Sequence, residues 1–330
     1  MGKPDFTNLK NILMLKDKKH VPIFEASIHN SIKEKILGKP FLTIKDEIDF
    51  DLKMGYDFVP IATGIIKPAE SIGKNIETTG VIAGEKEFLQ YDWMKADDYD
   101  YGQFHEASKI IPENMKIIGI GGKIFTATWM LIGFNNFCIK LIEEPGFVKK
   151  VFEKIGSLQF DVFKKVIENN DVGAYFISDD IAFSNGVLIS ATALREYLFP
   201  WYKKMGDICR KKDIAFIYHS DGNTAEIIDD LIECGFCAHH PIEPKALNII
   251  DIKNKYKDKL CLMGNIELDT IIRGVPEDIE NLVIHNLQNI AKDSFYVGGS
   301  SNSIPKEVKL ENYLKMNETF LKLGTYPIDI

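Results

Sequence analysis

Residues 214–223 read IAFIYHSDGN. A β-prone apolar run ends there in histidine, serine and aspartate, and a glycine turn follows. The next stretch, NTAEIIDDLIECG from Asn223, repeats apolar residues every three or four positions, the period of a helix with one buried face. The same sequence of strand, polar end and helix recurs along the chain. Its other strand candidates are VPIFEA from Val21, DFVPIA from Asp57, KIIGIGG from Lys116, GAYFISD from Gly173, FCAHHPIE from Phe236, KLCLMGN from Lys259 and SFYVGG from Ser294. Helical periodicity fills most gaps, as in residues 143–170, 190–212 and 276–293. Alternating strands and helices predict an α/β fold with a parallel sheet, and eight such units predict closure into a (β/α)₈ TIM barrel. The rival, an open doubly wound sheet, usually carries a glycine-rich phosphate turn after its first strand. Here the first strand runs into SIHNSIKEK, which has no such turn.

The chain has 330 residues, 45% of them hydrophobic and 27% charged. That is enough apolar material for a large core, and residues 1–330 read as one domain. Two regions fall outside the regular units. Residues 64–115 form a long insert after the second strand, with the aromatic and acidic tract YDWMKADDYDYGQFHEASKIIPEN, and residues 124–143 form an apolar stretch after the third.

The net charge of −8 and the absence of a basic stripe argue against nucleic acid as a partner. Of the 40 basic residues only Arg195, Arg210 and Arg273 are arginines, so a substrate bearing many carboxylates would find few two-pronged guanidinium partners. The five cysteines are odd in number and the chain is large, which speaks against a disulfide framework. The Cys234-x-x-Cys237 pair lacks the second pair that a zinc site of that type needs. No signal peptide and no run of ~20 apolar residues is visible, so a soluble cytoplasmic protein is expected, without a membrane partner.

In a barrel the chemistry sits at the C-terminal ends of the strands. Those ends carry Glu25 and His29; Asp179 and Asp180; His219, Asp221 and Asn223; His239, His240 and Glu243; Asn265; and Ser300, Ser301 and Asn302. His219 and Asp221, two apart, can point to one side and bind a metal or form a proton-transfer pair. Equally, the histidine can cap the following helix while Asp-Gly makes a turn. Of Asp179 and Asp180, and of His239 and His240, alternation lets one of each pair face the axis. Glu243 can be a ligand or a partner for His219. Trp93, Trp129 and the tyrosines of residues 91–101 can wall the mouth or simply pack a long loop.

Several segments, in this order, resemble the uroporphyrinogen decarboxylase superfamily: LIGFNNFCIKLIEEPGFVKKVFEKI, SDDIAFSNGVLISATALREYLFPWYKKM, YHSDGNTAEIIDDLIECGF, HHPIEP, LMGNIELDTIIRG and GGSSNSIP. The resemblance covers nearly the whole chain and implies a (β/α)₈ barrel. Decarboxylases of the superfamily hold an eight-carboxylate porphyrinogen through an arginine-bearing N-terminal segment. The matching VPIFEASIHNSIKEK has no arginine. The resemblance therefore implies the other branch, corrinoid-dependent methyltransferases, whose thiol-methylating members hold zinc through His-x-Cys and a later cysteine. Here that motif reads His219-Ser220-Asp221, and the later position falls near Asn302.

An oxygen-rich site can take zinc or another divalent ion, with His219, Asp221 and Glu243 as ligands. The implied reaction is O-demethylation of a small donor, an aromatic methyl ether, in anaerobic metabolism. The methyl group passes to cobalt(I) of a corrinoid (cobalamin) on a separate protein that docks over the mouth. His219, Asp221, Asp180 and Glu243 are the expected catalytic residues, and Asp179, Trp93, Trp129, Asn265 and Asn302 the expected substrate contacts. A homodimer is compatible with such a barrel. The alternatives are a decarboxylase acting on a less acidic substrate and a non-catalytic corrinoid-binding barrel.

Overall fold

The computed structural model describes residues 3–63, 80–169 and 171–330. Among these residues nine strands follow in chain order: β1 (Phe58–Ala62), β2 (Lys116–Gly121), β3 (Val172–Ser178), β4 (Ala182–Phe183), β5 (Gly186–Val187), β6 (Ala215–His219), β7 (Ala238–His240), β8 (Cys261–Ile266) and β9 (Tyr296–Ser300). Seven of them form one parallel sheet in the order β1-β2-β3-β6-β7-β8-β9, while β4 and β5 make a separate antiparallel hairpin. The sheet strands are buried on both faces, as continuous apolar runs such as AYFI in β3 and AFIY in β6 require. Helices cover the outer face. Pro145–Ile167 opens with proline at its first turn and buries Val148, Val151, Phe152, Ile155, Val162, Phe163 and Val166 on one stripe.

Seven of the eight expected strands pair in the expected parallel order. The one from Val21 is reduced to bridges. Phe24 N donates to Gly298 O and Gly298 N to Pro22 O, at 2.8 and 2.9 Å, and Ile28 bridges Ile304. Pro22 has no N–H to extend a ladder. The segment still lies parallel to β9, where a first strand belongs. The Phe24 ring stacks on Phe58 of β1 at 5.0 Å and on Phe176 of β3 at 5.3 Å. A residue bonded to the last strand thus touches the first, so the sheet is curled, with its two edges brought together over Phe24. Among the described residues no ladder joins residues 21–26 to β1.

Of the long insert, residues 64–79 lie outside the described residues. The remainder contains the helices Glu85–Gln90 and Gly102–Ile110. The apolar stretch 124–143 is two helices, Ile124–Ile132 and Phe134–Glu143, bent by 95° at Gly133. Among the described residues no single helix is long and apolar enough to cross a membrane.

Candidate active site

Neighbouring strands β3, β6 and β7 end in register, with Ser178 opposite His219 and His219 opposite His240. Immediately past those ends Asp180, His219 and Asp221 come together. His219 Nε2 lies 3.6 Å from Asp180 Oδ1 and 3.9 Å from Asp221 Oδ1, and one donor atom from each residue fits within a 4.8 Å group. The loops that carry them are tied together by backbone N–H donors. Asp221 N donates to Asp180 Oδ1 at 3.0 Å, Ile181 N to Ser220 Oγ at 3.0 Å, and Asn223 N to Phe183 O at 2.8 Å. Gly222, at φ +88°, lies so close to the Ala182–Phe183 backbone that a Cβ there would approach to 2.7 Å, which only glycine tolerates.

Asn302, from the turn after β9, donates through Nδ2 to Asp221 Oδ2 at 2.7 Å. The other oxygen, Asp221 Oδ1, is buried without a hydrogen-bond partner among the described residues. Burial and the neighbouring Asp180 carboxylate push Asp221 up to about 6, against the pull of Asn302. Burial pushes His219 down to about 4. Below His219, His240 shares a 2.8 Å Nδ1–Nδ1 contact with it, and its Nε2 is buried and unpartnered.

The expected residues divide. His219, Asp221, Asp180 and Asn302 converge. Glu243 reaches the same loop, but its Oε2 accepts Gly222 N at 2.7 Å. It holds the turn, and Asp180 takes the place expected of it in the three-residue group. Asp179 is corrected. It is fully buried, its two oxygens accept Phe125 N (2.7 Å), Thr126 N (2.8 Å) and the Tyr202 hydroxyl (2.6 Å), and it caps the start of the Ile124–Ile132 helix. Asn265 is half-buried at φ +77° and its Nδ2 donates to Ile242 O at 2.6 Å. Trp93 is also placed elsewhere, with its ring on Phe88 and Tyr91, its Nε1 on Phe88 O and Lys154 over its face. Trp129 packs edge-on to Phe134, with Nε1 buried and unpartnered.

His239 turns outward to Thr224 Oγ1 at 2.7 Å and to Tyr218 O, so His240 is the inward histidine. The β6–β7 register settles that choice, and the sequence carries no sign of it. Lys123, at the end of β2, was also missed. Its charge depresses His219, and its place directly after KIIGIGG marks it as one more strand-end residue.

The group suits a divalent ion. Ligand atoms about 2.0–2.2 Å from a tetrahedral ion stand roughly 3.4 Å apart, close to the 3.6 and 3.9 Å separations here. The orphaned Asp221 Oδ1 faces that space. One imidazole nitrogen and two carboxylate oxygens form a borderline-to-hard donor set, compatible with zinc.

The uroporphyrinogen decarboxylase (URO-D) profile matches residues 53–322. The chain belongs to that family. Among solved structures it is similar to a methyltransferase from Methanosarcina mazei, with a TM-score of 0.72 at 16% identity over 96% of this chain and 98% of that one. It is also similar, at a TM-score of 0.46 and 13% identity, to a sugar phosphate isomerase/epimerase from Parabacteroides distasonis, over 94% of this chain and 100% of that one. At 16% identity the likeness to the methyltransferase is one of fold. No protein with a curated description matches the chain.

Proposed function

We propose that this protein is a methyltransferase that takes a methyl group from a small donor, an aromatic methyl ether, and delivers it to the cobalt(I) of a corrinoid carried by a separate protein. Residues 21–28 complete the curled sheet as the eighth strand of a (β/α)₈ barrel. The observation that carries the reading is Asp221 Oδ1, a buried carboxyl oxygen without a partner at the mouth, facing His219 Nε2.

Cleaving a methyl ether leaves an alkoxide or phenolate, which departs poorly unless protonated or bound by a Lewis acid. Asp221, raised to about 6, keeps a protonated fraction near neutral pH and can release that proton from Oδ1 to the ether oxygen. Asn302 fixes Oδ2 so that Oδ1 stays free. Glu243 and Gly222 hold the turn. The corrinoid supplies a strong nucleophile for the methyl carbon, so no group of this chain needs to generate one. In place of the Asp221 proton, a divalent ion held by Asp180, His219 and an ionised Asp221 would supply Lewis acidity to the same oxygen.

Two of the three arginines bear on the choice between methyl transfer and porphyrinogen decarboxylation. Arg195 pairs two-pronged with Asp230 and Arg210 pairs with Asp207, both on helices outside the sheet. Each pairs with a carboxylate of this chain on the surface.

The test is anaerobic methyl transfer to cob(I)alamin, followed by the cobalamin absorbance, with methoxyaromatics, methanol and methylamines offered in turn. Turnover with methoxyaromatics alone is the expected result. Silence with every donor, using both free cobalamin and a corrinoid protein, would overturn the reading and leave a decarboxylase or a binding barrel.

A further inference from the structure

Glu25 has no role in the chemistry described above, yet it is a fully buried carboxyl at the C-terminal end of the segment lying on β9. Alternation puts it on the face opposite Phe24. Its Oε1 accepts Ser300 N at 2.8 Å, and its Oε2 lies 2.5 Å from Ser300 Oγ. Ser300 Oγ also contacts the carbonyl oxygen of Asn302. Among the described residues no cation pairs with Glu25.

Proton counting decides its state. A serine hydroxyl owns one hydrogen, and the Asn302 carbonyl can only accept. If the Ser300 hydrogen went to a Glu25 carboxylate, two bare oxygens, Ser300 Oγ and Asn302 O, would face each other in contact. If it goes to Asn302 O, the hydrogen between Ser300 and Glu25 must come from Glu25. Every donor and acceptor is then matched: Glu25 O–H to Ser300 Oγ, Ser300 O–H to Asn302 O, and Ser300 N–H to Glu25 Oε1.

We propose that Glu25 is held as a neutral carboxylic acid and serves as a positioning residue, locking the Ser300–Asn302 turn so that Asn302 is presented to Asp221. The surroundings agree. Among the described residues the titratable groups facing Glu25 are the hydroxyls of Tyr56, Tyr296 and Tyr313, and burial raises all three above the ordinary tyrosine value. They are neutral across the working range and offer no charge to stabilise a carboxylate. Burial pushes Glu25 itself up to about 8. The consequence for Asp221 rests on the methyltransferase reading, whereas the protonation of Glu25 does not.

The experiment compares the wild type with Glu25→Gln and Ser300→Ala. An infrared difference spectrum, wild type minus Glu25→Gln at pH 7, is expected to show the carbonyl stretch of one protonated carboxylic acid, shifted in D2O. In urea melts Glu25 is expected to contribute a loss of stability as pH rises from about 4.5 to about 8, the window between its unfolded and folded values, set against the opposite contribution of the buried histidines. Glu25→Gln is expected to lose one proton's worth of that slope, while other buried acids cancel in the comparison. Because glutamine can donate to Ser300 Oγ and accept from Ser300 N, Glu25→Gln is expected to keep methyl transfer within about twofold. Ser300→Ala, which breaks the relay without removing Glu25, is expected to lower kcat by roughly tenfold. Absence of the acid band, or an unchanged pH slope in Glu25→Gln, overturns the neutral-acid assignment. Full activity in Ser300→Ala overturns the positioning role. If the wild type transfers no methyl group while the band and slope behave as stated, the functional reading fails and the assignment of Glu25 stands.

Discussion

The Nδ1 atoms of His219 and His240 stand 2.8 Å apart on adjacent strands, with the ring planes inclined at 28° and the centroids 5.1 Å apart. Burial pushes both imidazoles down, so both are neutral at pH 7, and one hydrogen must lie between them. Placed on His219 Nδ1, it leaves the lone pair of His219 Nε2 aimed at Asp180 and Asp221, the form a metal ligand requires. His240→Phe removes the acceptor that favours this tautomer. Zinc affinity, measured by calorimetry on the folded variant, is expected to fall about 10- to 100-fold. Unchanged affinity would show that His240 does not orient His219.

Asp221 offers a test whose sign distinguishes two roles. As a proton donor it works in the protonated form, so methyl transfer should decline as pH rises through about 6. A rate that climbs through the same pH would make Asp221 a ligand acting as a carboxylate. Asp221→Asn is expected to cost about 10²- to 10⁴-fold in kcat, measured with saturating donor.

Asn302 lowers the Asp221 value by donating to Oδ2. In Asn302→Ala that restraint is gone, and the break in the pH–rate profile should move upward by on the order of one unit. A profile that stays in place would show that the 2.7 Å contact does not govern Asp221.

Asp179→Ala tests the corrected role. It strips acceptors from two helix-start N–H groups and from the Tyr202 hydroxyl, all buried or partly so. Unfolding free energy should drop by about 2–4 kcal/mol, read from urea melts, while the folded fraction retains its kcat. A selective loss of kcat at unchanged stability would return Asp179 to the site.

Much of this arrangement was legible in the residues. Apolar runs ending in polar residues and glycine turns located seven strands, because a parallel sheet buried on both faces leaves that pattern. His219, Asp221, Asp180 and Asn302 were found as strand-end residues, and they do converge. The misreadings have physical causes. VPIFEA lies along β9 as a first strand should, but Pro22 withholds a donor and the pairing is reduced to bridges, which composition alone does not show. Asp179 and Asp180 are adjacent acids, and nothing local reveals that the first turns back to cap a helix more than fifty residues earlier. Trp93 sits in an aromatic tract that packs on itself and on Lys154, a tertiary outcome that composition does not encode. The choice between His239 and His240 depended on strand pairing, which is a long-range property.

The closeness of Gly222 to Ala182 and Phe183, and the main-chain bonds around it, also bear on how such a site can change. The loops from β3 and β6 are joined by backbone groups together with the side chains of Asp180 and Ser220, and the Asp221 side chain takes no part in that joinery. Its end atoms, and the amide of Asn302 beside it, can therefore be exchanged with the scaffold left standing. Asp221→Cys together with Asn302→Cys would set two thiols near His219 in place of oxygen and amide groups, shifting the donor set toward softer metals. A lineage could thus move between substrate chemistries in very few steps, because what differs is the pair of tips and what is costly to rebuild is shared.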